Sequence, residues 1–121
     1  MAALTQDRNT RRREGDEFVF RASKEIFAGA LVCMTSGGTV EPASASGGVC
    51  VGVAREHALP GHDVRVRRGV FAFACAPGDL SRADVGATAY AADDQTVQKT
   101  KNACVAGVVL DVDAFGVWIR I

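Results

Sequence analysis

The residues that could carry covalent, metal or acid–base chemistry are four cysteines, two histidines and two close pairs of aspartates. Cys33, Cys50, Cys75 and Cys104 include no Cys-x-x-Cys pair, and each sits in an apolar stretch. A zinc site needs clustered ligands, which this spacing does not supply, so no metal site is expected. Buried free thiols in a reducing compartment are the plainer reading. His57 and His62 share the loop around Pro60-Gly61. A hydrolytic relay would need a nucleophile beside an oriented base. Ser36, Ser44, Ser46 and Ser81 are loop serines, and no Gly-x-Ser-x-Gly elbow is present. Cys50 with His57 is the one thiol–imidazole pairing to weigh, against a packed cysteine and a solvated histidine. Asp93-Asp94 and Asp111 with Asp113 could act as paired carboxylates. Both pairs border turns, where aspartate ordinarily caps backbone amides. No catalytic residue and no cofactor is therefore assigned, and the chain is not read as an enzyme.

Binding chemistry is the next possibility. Neither Gly-x-x-x-x-Gly-Lys-Ser/Thr nor Gly-x-Gly-x-x-Gly leading into a helix occurs. Arg65, Arg67 and Arg68 form a basic strand, with Phe71 and Phe73 just beyond. Such a strand could contact RNA in a small barrel. Lys and Arg total 14 and Asp and Glu total 14, so the basic surplus that phosphate binding needs is missing. A general nucleic-acid partner is not expected. Neutrality also leaves little colloidal repulsion, so association is easy. No early apolar run follows a basic start, and no segment reaches membrane-span length. A membrane partner is likewise not expected.

The elements that must position these residues are strands. Val, Ala and Gly dominate while Leu and Met are scarce, which favours short strands and tight turns. Residues 1–16 are polar and aperiodic and read as a flexible N-terminal arm. Residues 17–121 read as a single β-rich domain. Phe18 and Phe20 share one face of its first strand. Turn signals at Ser36-Gly37-Gly38, Pro60-Gly61, Pro77-Gly78-Asp79 and Asp93-Asp94 divide the rest into eight or nine short strands. Asp63 to Cys75 is the clearest strand pattern, interrupted by Gly69, where the chain can bend across a barrel or sandwich. Leu80 to Val85 allows one helical turn at most. The fold class is all-β, a small barrel or sandwich.

A weak internal repeat organises the pattern. Gly29-Ala30-Leu31-Val32, Thr39-Val40 and Gly52-Val53 return as Gly86-Ala87-Thr88-Ala89, Thr96-Val97 and Gly107-Val108. The first two matches share an offset of 57 residues and the third has 55, which a two-residue deletion after Val97 reconciles. The domain is thus expected to have two related halves.

Val64-Arg65-Val66-Arg67-Arg68-Gly69-Val70-Phe71 follows Gly29-Ala30-Leu31-Val32 and Val51-Gly52-Val53-Ala54, and precedes Ala89-Tyr90, Thr96-Val97 and Ala106-Gly107-Val108-Val109. In this order the chain resembles the capsid decoration, or cement, proteins of tailed and Mu-like phages and prophages. The resemblance covers most of residues 17–121. The opening Ala3-Leu4-Thr5-Gln6-Asp7-Arg8-Asn9-Thr10 is similar to the start of prophage members. It implies a structural virion protein of a bacteriophage, made in the bacterial host cytoplasm. It implies a homotrimer on the outer surface of a mature capsid, whose partner is the major capsid protein lattice and whose task is head stabilisation. It also implies that the arm touches the capsid, through Thr5, Arg8, Arg11, Arg12 and Arg13. Phe18, Phe20, Arg65, Arg67, Arg68 and Trp118 are candidates for subunit or capsid interfaces. The alternative is a small β-barrel binding module, for RNA through the arginines or for carbohydrate through a stacking groove of Tyr90 and Trp118.

Overall fold

The computed structural model describes residues 2–9 and 15–121. Ten strands follow one another: β1 (Glu17–Arg21), β2 (Leu31–Met34), β3 (Val40–Pro42), β4 (Cys50–Ala54), β5 (Asp63–Arg67), β6 (Val70–Phe73), β7 (Thr88–Ala91), β8 (Val97–Gln98), β9 (Val105–Asp113) and β10 (Gly116–Arg120). The count exceeds eight or nine because the run from Asp63 to Cys75 is two strands. The chain leaves the first sheet after Arg67 and enters the second at Val70.

Five antiparallel strands form each sheet. The first has the order β1-β5-β4-β2-β3 and the second β6-β10-β9-β7-β8. These are the same topology used twice in succession. One parallel bridge links the ends of each sheet, Ala22 with Val40 and Ala74 with Thr96. A single bridge does not close a barrel, and the two sheets stack as a sandwich.

The register shows how far the duplication extends. Leu31 faces Val53, Val32 faces Gly52 and Cys33 faces Cys50, with a bulge after Val32. In the second sheet Thr88 faces Val108, Ala89 faces Gly107 and Tyr90 faces Val105, with the bulge after Ala89. The repeat also takes in strands that the short sequence matches do not include. Phe18 and Phe20 face Val66 and Val64 in β1–β5, as Phe71 and Phe73 face Ile119 and Val117 in β6–β10.

Gly52 and Gly107 explain why glycine recurs at one place in each half. A Cβ on Gly52 would collide with the Arg67 carbonyl oxygen and lie 2.7 Å from Val66 Cγ1. A Cβ on Gly107 would collide with the Arg120 carbonyl oxygen and lie 2.8 Å from Ile119 Cγ2. The neighbouring strand lies too close at each bulge for any side chain.

Two cores result. One lies within the first half and joins Ala22, Ile26, Val32, Val40, Val64 and Val66, among others. The loop between β4 and β5 helps to close it, through reciprocal backbone hydrogen bonds of 2.9 Å between Ile26 and Ala58. The other core unites the halves. It gathers Phe73, Ala89, Val97, Val109, Val117 and Ile119 of the second half with Leu31, Cys33, Ala43 and Cys50 of the first. Both faces of β2 are therefore covered, Val32 in one core and Leu31 and Cys33 in the other. Among the described residues no polar or charged residue is fully buried. The single helical turn allowed before β7 is a 3-10 turn, Arg82–Asp84. Ser81 and Asp84 form a capping box around it, and Asp84 is held below the usual carboxylate range by the Ser81 amide and by Lys99.

Candidate functional site

Asp93, Asp111 and Asp113 accept backbone amides. Asp93 Oδ1 accepts the Gln95 amide at 2.9 Å, and Asp113 Oδ1 accepts the Phe115 amide at 2.8 Å. Asp111 accepts the Val112 amide at 2.8 Å and lies 3.6 Å from Arg82 Nε. Asp93 and Asp113 thus cap turn amides, as the turn reading expects, while Asp111 lies within β9 and is held by the next amide and by Arg82. His57 Nε2 lies 2.9 Å from Glu25, and its ring stacks on Phe27 at 5.2 Å between centroids. Cys50 is engaged elsewhere, with its Sγ 3.5 Å from Cys104 Sγ inside the shared core. No thiol–imidazole pair links them.

Three of the four cysteines are buried free thiols, while Cys75 is half-exposed, which corrects the expectation for that residue. Convergence of Cys33, Cys50 and Cys104 is the feature that sequence spacing does not reveal. Cys50 and Cys104 lie 54 positions apart and meet only because one half packs on the other. Cys33 and Cys104 strongly prefer their neutral form. Hydrogen bonding to Cys104 and burial push the Cys33 thiol far above its ordinary range. Cys33 alone would lower Cys104, but the Cys50 hydrogen bond and burial outweigh it, and Cys104 is pushed up to about 11.

The basic strand is divided by the pleat. Arg65 and Arg67 point away from the first core, opposite to Val64 and Val66. Arg65 is held by Glu56, with Nη2 to Oε2 at 2.7 Å and Nε to both carboxylate oxygens at 3.1 and 3.2 Å. This pairing depresses Glu56 to about 2 and raises Arg65. Glu17 faces Arg67 across β1 and pairs with Arg55 at 2.7 Å. Arg68 is exposed. Phe18 and Phe20 share the register of Val66 and Val64, so they lie on the opposite side from Arg65. Phe71 and Phe73 belong to the other sheet and pack into the shared core. The arginines and aromatics do not combine into one face.

A Tyr90–Trp118 groove is not formed either. Tyr90 faces Val105 whereas Trp118 faces Asp111, six residues farther along β9. At roughly 3.3 Å per residue the two rings sit on the order of 20 Å apart along the strand. Trp118 instead makes an edge-to-face contact with Phe115, at 6.4 Å. Phe115 is 82% exposed at the tip of the β9–β10 turn.

What the fold offers is surface. The outer face of the second sheet carries half-exposed Tyr90, Val105, Val108 and Trp118 with exposed Thr88. Two adjoining shallow depressions follow the seam between the halves, about 290 and 360 Å³ in volume. Phe27 and Asp94 line one, Phe71 and Phe115 the other, and Gly29 and Gln95 belong to both. Of the arm residues, Thr5 and Arg8 are exposed. Arg11, Arg12 and Arg13 lie outside the described residues. No family model matches this chain, and no curated protein matches it significantly.

Proposed function

We propose that this chain is a capsid decoration protein, which binds the outer surface of a mature phage head and stabilises it. The reading begins from the sequence resemblance. The observation that best supports it is the exposure of Ala2–Asn9, which take no part in either core, ahead of a body whose two cores are sealed. An arm on a rigid knob suits adhesion to a lattice. Thr5 and Arg8 are available for capsid contact, with Arg11, Arg12 and Arg13 following in the same segment. The half-exposed face with Tyr90, Val105 and Trp118 offers apolar area for association of subunits into a homotrimer. Several weak arms acting together on one lattice give tight binding without any single strong contact.

Cosedimentation with mature, undecorated capsids tests the proposal, with unassembled capsid protein as control. Saturable binding to assembled capsids alone is expected. Deleting residues 1–16 should preserve the β-sheet circular dichroism spectrum and weaken binding at least tenfold. No capsid binding at any salt concentration would overturn the reading and favour the RNA or carbohydrate module. Full affinity after the deletion would remove the arm from the mechanism.

A further inference from the structure

The thiol cluster lies on the seam between the two halves, in the shared core. Cys50 is in β4 of the first sheet, and Cys104 immediately precedes β9 of the second. Their sulfurs are in van der Waals contact at 3.5 Å. The backbone holds both sides in place. Cys50 is in register with Cys33, the Cys104 amide donates to Asn102 Oδ1 at 2.8 Å, and the Cys104 carbonyl accepts the Ala91 amide at 2.8 Å. Cys33 is the third thiol, directed towards the Pro42 carbonyl at 4.0 Å. Gly47 roofs the cluster, since a Cβ there would lie 2.6 Å from Cys33 Sγ and 3.4 Å from Cys104 Sγ.

We propose that Cys50 and Cys104 of the folded protein close a disulfide bond across the seam when the chain meets a small-molecule disulfide. One thiolate attacks the reagent, forming a mixed disulfide and releasing the first reagent thiolate. The second protein thiolate attacks the mixed disulfide and releases the second reagent thiolate. One S–S bond forms in the protein and one breaks in the reagent. The reagent gains two electrons, and the two protons given up by Cys50 and Cys104 end on its two thiols. Closing the sulfurs from 3.5 Å to a bond of about 2.05 Å asks each to move by about 0.7 Å. That shift is within reach of a small side-chain rotation. The pairing joins two sheets rather than two neighbours in one sheet, so it covalently fixes the halves together. A reducing compartment keeps the thiols apart and an oxidising one staples them.

Thiolate supply sets the rate. Outweighing Cys33, the Cys50 hydrogen bond and burial push the Cys104 thiol up to about 11, so its thiolate is scarce at neutral pH. Below that value, closure should accelerate up to roughly tenfold for each unit by which the pH is raised.

The test incubates the purified full-length chain with oxidised glutathione, without denaturant, at pH 7 and pH 9. Cyanogen bromide cleavage at Met34 followed by trypsin separates Cys33 from Cys50. Non-reducing mass spectrometry should then show a Cys50–Cys104 peptide lighter by two hydrogens, forming faster at pH 9. The same peptide should form in Cys75→Ser, which lacks the half-exposed thiol, and in Cys33→Ser. The linked protein should melt at a higher temperature than its reduced form. Linkage through Cys33 instead, adducts confined to Cys75, or closure only in denaturant would each overturn the proposal.

Discussion

Arg65 shows how the environment of a single residue can redirect its chemistry. An arginine in a basic strand is a candidate for phosphate or capsid acid. Here Glu56 grips it with both oxygens while also accepting the Arg65 amide at 3.1 Å. The strand's charge is thereby offset locally, and the pairing becomes a pH-dependent stabiliser. The Glu56 carboxyl falls from an ordinary 4.5 to about 2. Its folded value lies below its unfolded value, so the contribution to stability is complete above about pH 4.5 and is lost as pH falls through about 2. A carbon-detected NMR titration should find Glu56 the most acid-shifted side-chain glutamate. Arg65→Gln should return it towards the ordinary range, and an unchanged Glu56 in that variant would refute the assignment.

At the scale of elements, the two bulged strand pairs β2–β4 and β7–β9 are the repeated device. Each bulge brings a glycine against the carbonyl of the strand on its far side. Gly52→Ala and Gly107→Ala should each destabilise the fold by about 1–3 kcal/mol through overpacking, with the positive φ of Gly52 adding strain. Gly37→Ala is the contrast, because a Cβ there meets only Thr35 Oγ1 at 3.8 Å. Its effect should stay within about 0.5 kcal/mol. Urea denaturation of the three variants reads all of these values. A neutral Gly107→Ala would mean that the second bulge can relax, and that the two halves are equivalent in register only.

At the scale of the whole molecule, the halves share one topology but not one environment. Leu31 and Thr88 hold equivalent positions, yet Leu31 is fully buried in the shared core and Thr88 is exposed. The first sheet packs its outer face onto the inner side of the second, and the outer face of the second remains open. A further unit could not be added in the same way at the other end, because the β4–β5 loop and Ile26 already cover the first core. The change from leucine to threonine suits an outermost layer of a repeat stack. Leu31→Ala should therefore cost about 2–5 kcal/mol, and Thr88→Ala less than about 0.5 kcal/mol. Equal losses in thermal or urea unfolding would contradict this asymmetric stacking.

The sequence by itself determined the local structure of this protein. Alternating Val-Arg-Val, turn pairs such as Pro60-Gly61 and recurring glycines act within a few residues, so the strands, the turn roles of Asp93 and Asp113 and the core of the repeat were legible. The matches around Gly29 and Gly86 revealed two halves, but β1 with β6 and β5 with β10 shared too few identities to be seen as copies. Only register exposed them. Folding alone decided which arginine is neutralised, because Glu56, nine residues earlier in the β4–β5 loop, reaches Arg65 only once β4 and β5 pair. It also placed Tyr90 and Trp118 far apart and brought Cys50 and Cys104 together from 54 positions away. Alternation states which way a side chain points from its sheet. It cannot state what lies opposite, because that depends on how the second sheet docks on the first.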